Sequence, residues 1–202
     1  MKLTFRALIA SFAASLMMIA GSASAGTLKT AISMDNGYQM YLSTSDSVQG
    51  TLVDFGNDWT STFTNNIGLS GGVTYYLHIY GYDQGGVAGF LGEFSINGGT
   101  HVFANGLTTL TTDTANWKAN NTGFNGSYGA VTSSGTDGIA PWGDRPNIVN
   151  TATWIWAGNN NSQDNAFFTT KITAVPEPSS IALLGLALLG LGAARRRSAK
   201  AN

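Results

Sequence analysis

Side chains able to do acid–base or nucleophilic chemistry are few in this 202-residue chain. There is no cysteine, which removes thiolate catalysis, disulfides and Cys-ligated zinc or iron–sulfur centres. His78 and His101 are the only imidazoles. His78 lies among tyrosines in an alternating segment, where a structural or surface role outweighs a ligand role. His101 follows a Gly-Gly turn and is expected to face solvent. Neither histidine has HExxH spacing, no Gly-x-Ser-x-Gly elbow occurs, and Gly85-Gly86-Val87-Ala88-Gly89 lacks the Lys and Ser/Thr of a phosphate loop. A glycosidase needs two carboxyl groups at a set separation. Glu93 would have to pair with Asp35, Asp58, Asp83, Asp137 or Asp144, or two of these aspartates with each other. Nothing in the sequence aligns any two, so turn-forming aspartate is the plainer reading. No catalytic residue and no metal site is assigned, and no organic cofactor is expected. Asp83-Gln84-Gly85 and Ser134-Gly135-Thr136-Asp137-Gly138 have the oxygen-rich composition that Ca²⁺ takes, without an EF-hand or nonapeptide repeat.

Exposed aromatic rings offer a different chemistry, stacking on the C–H faces of sugars. Trp59 and Trp142 lie in Gly/Asn/Pro-rich stretches and are expected at the surface, as is Tyr82. Trp142, between Pro141 and Gly143-Asp144-Arg145-Pro146, is the strongest of the three. Trp154 and Trp156 fall on one face of a strand, so at least one belongs to a core.

The segment that must position these residues, 26–175, holds 22 Gly, 22 Thr, 16 Asn and 20 aromatic side chains. Thr and aromatics suit a half-buried pleated surface, and Gly and Asn suit turns. Twenty aromatics argue against disorder, and no stretch carries a capped 3.6-residue period. Alternation predicts strands instead. In residues 73–80, Val73, Tyr75, Leu77 and Ile79 share one face and Thr74, Tyr76, His78 and Tyr80 the other. Tyr38, Met40 and Leu42 align within 38–43, and Phe90, Phe94 and Ile96 within 90–96. Asn97-Gly98-Gly99 is expected to turn the chain into a hairpin with 101–103. Further segments fall at 28–32, 51–55, 60–64, 108–111, 152–156 and 166–172. Eight to ten strands with regular turn signals predict an all-β fold, a β-sandwich.

Charge is segregated. Lys2 and Arg6 stand at one end and Arg195, Arg196, Arg197 and Lys200 at the other, while residues 26–175 carry four basic and ten acidic side chains, a net of −6. No basic field marks a nucleic-acid binder. Lys2 and Arg6 precede the apolar stretch 7–20 and the small residues Ala23-Ser24-Ala25, the three parts of a secretory signal peptide. Signal peptidase is expected to cut after Ala25, leaving Gly26 as the new N-terminus. At the C-terminus, Pro176-Glu177-Pro178 precedes the uncharged run 181–194 and the arginine cluster. Each proline fixes φ and removes a donor, giving a stiff unpaired strip. The apolar run reads as a transmembrane helix stopped by cytoplasmic arginines.

Residues 175–197 resemble the PEP-CTERM sorting signal of Gram-negative bacteria, with Pro176-Glu177-Pro178, an apolar helix and Arg195-Arg196-Arg197 in order. The resemblance implies processing by an exosortase, a membrane cysteine protease, and delivery to the outer surface or exopolysaccharide matrix, often with biofilm formation. Asp35-Asn36-Gly37-Tyr38-Gln39-Met40-Tyr41-Leu42 is similar to a strand of galactose-binding-like jelly-roll modules. The likeness continues through Gly56-Asn57-Asp58-Trp59, 75–82, 85–90, 152–156 and 167–170. Ser43-Thr44-Ser45-Asp46 replaces that family's usual Asn-Gly turn. This second resemblance implies a jelly-roll-like sandwich.

The expected organisation is a signal peptide (1–25), a β-sandwich passenger (26–174) and a sorting segment (175–199). The protein is expected to be exported, anchored in the inner membrane by its C-terminal helix, then cut and released to the surface or matrix. Its passenger is read as non-catalytic, with exopolysaccharide as a possible partner. The alternatives are a purely structural matrix protein and an envelope polysaccharide hydrolase.

Overall fold

Alternating apolar positions in the longer segments place the main core between two sheets. In β1 (Gly26–Asp35), Leu28, Ile32 and Met34 are buried and Lys29 is exposed. In β2 (Gly37–Ser43), Tyr38 and Met40 point inward, and in β5 (Tyr75–Tyr82) Leu77 and Ile79 do so. Phe90, Phe94 and Ile96 of β6 (Gly89–Asn97) meet Ile172 and Phe168 of β13 (Asn165–Ala174) across the interior. The computed structural model describes residues 25–176 and 184–191.

The remaining strands are β3 (Thr51–Gly56), β4 (Phe63–Leu69), β7 (His101–Phe103), β8 (Thr109–Thr111), β9 (Lys118–Asn120), β10 (Gly129–Ala130), β11 (Thr132–Thr136) and β12 (Thr153–Trp156). One antiparallel sheet runs β11-β12-β6-β1-β4, with β8 also on β6. The other runs β10-β9-β13-β5-β2-β3, with β7 also on β13. The expected all-β sandwich is thus present as two packed sheets. Rings dominate the core: Phe90 meets Trp117 edge-on at 5.2 Å and Phe168 at 4.9 Å.

Three local expectations are corrected. The turn at Asn97 does not make a hairpin. One side of β6 is taken by β1 and the other by β8 and β12, so β7 has no free edge there. Gly98 and Gly99, at φ +96° and +67°, instead send the chain to the other sheet, where His101 pairs with Ala174. His101 is consequently fully buried, bonded to Thr100 Oγ1 (2.7 Å) and the Val73 carbonyl (2.8 Å). Trp154 and Trp156 are both buried but join different clusters, Trp154 on the outer side of its sheet and Trp156 in the main core.

Both ends of the folded unit, Ala25–Val175, meet at one corner. The Val175 amide donates to the Thr100 carbonyl (2.8 Å). A Cβ on Gly26 would lie 2.5 Å from Thr100 Oγ1 and 3.4 Å from His101 Nδ1. Outside this unit, residues 184–191 form α1, which exposes Leu184, Leu186, Leu188, Leu189 and Leu191. Among the described residues no helix is long and apolar enough to cross a membrane. Ala23, Glu177, Pro178, Arg195, Arg196 and Arg197, with the rest of the expected signal peptide and span, lie outside the described residues.

Candidate functional site

Four of the residues singled out for chemistry, Trp142, Asp35, Glu93 and Asp137, converge on the outer face of the first sheet, where they hold a loop in place. Residues 137–152, between β11 and β12, fold over β1 and β6 and bury Trp142 and Ile148 against Leu91, Ala31 and Trp154. Trp142 is therefore not the exposed ring expected from its Pro/Gly setting: it is 5% exposed and stacks on Trp154 with centroids 4.3 Å apart. Gly89 makes this possible, because a Cβ there would come within 2.8 Å of both indoles.

Three of the candidate carboxylates, Asp35, Glu93 and Asp137, pin the same loop, while Asp83 and Asp144 do not. Asp35 Oδ2 accepts the Trp142 indole N–H (2.8 Å), and Glu93 Oε2 accepts the Val149 amide (2.8 Å). Asp137 accepts the amides of Gly138 (3.0 Å) and Arg145 (3.1 Å). Burial raises the Asp35 carboxyl above its ordinary value, and the Trp142 hydrogen bond only partly offsets that. Asp58 closes a turn on Thr60 and Ser61, whose hydrogen bonds hold it below the usual carboxylate range. Arg145, 7% exposed, donates through Nη1 to the Thr60 carbonyl (2.9 Å). Its Cζ sits 5.8 Å from the ring centroids of both Trp59 and Trp154, so the 40%-exposed Trp59 packs beside a cation. Burial lowers the guanidinium pKa, against the pull of Asp137, Asp35 and Asp58. Among the described residues no three His, Cys, Asp or Glu side chains gather where they could hold a metal ion.

An open groove of about 580 Å³ lies instead on the outer face of the second sheet. Its floor is Gln39, Tyr41, Tyr80 and Phe167, with Gln39 and Phe167 directly opposite Tyr80 on the neighbouring strands. Tyr80 and Phe167 stand ring to ring at 4.9 Å. Two loops wall the groove, contributing Ser47, Val48 and Gln49 on one side and Gly123, Phe124 and Asn125 on the other. His78 secures both walls from beneath. Its Nε2 meets Asp46 Oδ1 and its Nδ1 the Gln49 carbonyl, both at 3.3 Å. Phe124 stacks on the imidazole at 4.7 Å. Asp46 also accepts the Thr169 hydroxyl (2.6 Å), and Phe124 meets Phe167 and Tyr41 edge-on at 5.1 and 5.6 Å. The Tyr41 hydroxyl donates to Gln39 Oε1 and Tyr80 to Asn165 Oδ1, while the side-chain amides of Gln49 and Asn125 carry no hydrogen bond among the described residues.

Beyond the folded unit, the decisive signal begins at the last residue of β13 and runs toward the C-terminus. Residues 174–197 match the PEP-CTERM protein-sorting motif. No curated protein and no solved structure matches the chain. The PEP-CTERM motif implies export, an exosortase as processing partner, and a sorting signal that is membrane-anchored before delivery to the cell surface. The expected kinship with galactose-binding-like modules has no such match behind it, and the sandwich rests on its own two sheets.

Of the three aromatics expected to meet a sugar, Trp142 is sealed in and Trp59 sits beside Arg145. Tyr82 lies 6.0 Å from Tyr80, just beyond the groove, with its hydroxyl over Gly37. Sequence reasoning misses Tyr41, Tyr80, Phe124 and Phe167, although an outward stripe of aromatics opposite the apolar stripe of β5 is a usable signal.

Proposed function

We propose that this is an exported, exosortase-sorted protein of the cell surface or exopolysaccharide matrix whose sandwich binds polysaccharide without turning it over. In this reading signal peptidase cuts between Ala25 and Gly26, and the exosortase acts near Pro176-Glu177-Pro178. The observation that carries the binding assignment is the groove over β2, β5 and β13. Its aromatic floor gives sugar rings an apolar platform, and its side-chain amides offer donors and acceptors for hydroxyls. The absence of turnover is supported by the carboxylates: Asp35, Glu93 and Asp137 are engaged in holding the 137–152 loop.

A glycan screen on residues 25–175 tests this reading. Binding that is lost in Tyr80→Ala and Phe167→Ala, but kept in Trp142→Phe, is the expected result. Absence of binding across the screen would leave the structural-matrix alternative, and release of soluble sugar would reinstate the hydrolase.

A further inference from the structure

The groove also carries information about its ligand's charge. None of its ten lining residues is an Asp, Glu, Lys, Arg or His. Acidic polymers are gripped by Arg and Lys, and bidentate Arg–carboxylate pairs are the strong form of that contact. Here no such donor lines the floor or walls. The nearest fixed charge along the chain is Asp46, adjoining Ser47 at the rim, and it is an anion whose side chain is 44% exposed. The folded unit as a whole is net acidic, at −6 over residues 26–175, so its long-range field also opposes a polyanion.

Two lysines stand on β9 and β13, and neither lines the groove. Lys118, opposite Thr169, is two residues (about 7 Å) along from Phe167, and Lys171 is four residues (about 13 Å) along. Phe124 and its loop lie over His78, which pairs with Thr169, and so cover the sheet on that side of the groove. The groove volume is that of an ordinary small-ligand site, and it is open rather than enclosed, as a chain passing through would require.

We infer that the groove accepts a neutral polysaccharide, one without uronate, sulfate or phosphate groups, seated on Tyr80 and Phe167 and hydrogen-bonded through Gln39, Gln49 and Asn125. This rests on the polysaccharide-binding reading above and narrows it.

Titration calorimetry of the full chain in detergent, with β-glucan and galactomannan as neutral probes and alginate and polygalacturonate as acidic ones, separates the two claims. Expected is binding of a neutral polymer with the same affinity at low and high salt. Phe167→Ala or Tyr80→Ala should weaken it about tenfold. Gln39→Ala and Asn125→Ala, both at exposed positions, should weaken it about threefold to tenfold. Salt-sensitive binding of an acidic polymer alone would overturn neutrality and leave polysaccharide binding standing. Neutral binding unchanged in Gln39→Ala, Asn125→Ala and Phe167→Ala would overturn the groove as the site. Binding of none of the four polymers would overturn both.

Discussion

Replacing Trp142 with alanine is expected to cost the folded unit about 3–5 kcal/mol. The ring is 5% exposed, stacks on Trp154 at 4.3 Å and 20°, and seals the outer cluster with Ile148, Ala152 and Leu91. Its removal opens a cavity beneath the 137–152 loop, whose tie to Glu93 of β6 resists collapse into it. It also takes the donor from the partly buried Asp35, which accounts for about 1 kcal/mol of that total. For a unit of about 150 residues each kcal/mol shifts Tm by about 2–4 °C, so the melt should fall by about 6–20 °C. Trp142→Phe keeps a stacked ring and loses chiefly the indole hydrogen bond, so about 1–2 kcal/mol is expected. Thermal and urea unfolding of residues 25–175 measure both. Hydrogen exchange across 137–152 should rise in the alanine variant before the rest of the unit loosens. An alanine variant within about 0.5 kcal/mol of wild type, the usual effect of a surface change, would refute the packing argument.

Leu77, fully buried on the inner face of β5, should cost about 2–5 kcal/mol as Leu77→Ala in urea unfolding. Thr74→Ala, which removes a hydroxyl accepting the Ala174 amide at 3.2 Å, should cost about 1 kcal/mol, and equal effects would undo the facial assignment. Burial holds Asp35 above its ordinary 3.8, so the folded state keeps this proton to higher pH than the unfolded chain. The ionisation penalty is absent below 3.8 and complete above the folded pKa. Asp35→Asn, which retains an acceptor for Trp142, should therefore be the more stable form near neutral pH, with the gap closing towards pH 4; a gap that ignores pH would contradict this. Asp46→Ala frees the loop that walls the groove, so glycan affinity should drop more than stability does, as calorimetry and melts together would show. Intact mass of protein from its host should begin at Gly26 and end at or beyond Val175, because Val175 is still bonded to Thr100; a mature chain ending inside β13 would exclude this.

How far the sequence can be read depends on the length and two-sidedness of each element. β1, β2, β5, β6 and β13 are legible because one face is apolar over six or more residues and a register slip would expose it. β9, β10 and β11 are not: they are two to five residues long, carry no apolar stripe of their own, and pair because a neighbouring strand presents an edge. The sorting motif is legible because it is local, its parts standing in order within some two dozen residues. The groove is illegible for the opposite reason. Gln39, Tyr80 and Phe167 are neighbours only through strand register, and the walls come from two loops far apart in the chain. Trp142 and His101 mislead for one shared reason, since a flanking Gly or Pro marks a turn but does not mark exposure. Long loops in this fold are packed down by their own aromatics, and a turn can lead directly into a buried strand.

The two sheets end up with different outer faces, and that difference is the strongest argument for where function lies. On the first sheet, one loop brings Trp142, Ile148 and Arg145 down onto β1 and β6 and uses three carboxylates to fasten itself. The richest set of candidate residues in the sequence thus becomes a closed second core. On the second sheet the covering loops stop short. They bury His78 and Phe124 but leave Tyr80, Phe167 and Gln39 facing an open channel. A hydrophobic strip that merely stabilised the sheet would be closed in the same way as the first. Val48 is 57% exposed at the rim, and Tyr80 and Phe167 are only half-buried on the floor. The channel lies at the Phe167 end of β13, seven residues from Ala174, where the chain leaves for the sorting motif. That is about 23 Å of strand. The corner from which the chain leaves for the sorting motif is therefore separate from the groove proposed to bind polysaccharide, and on that proposal processing at one end need not disturb the other.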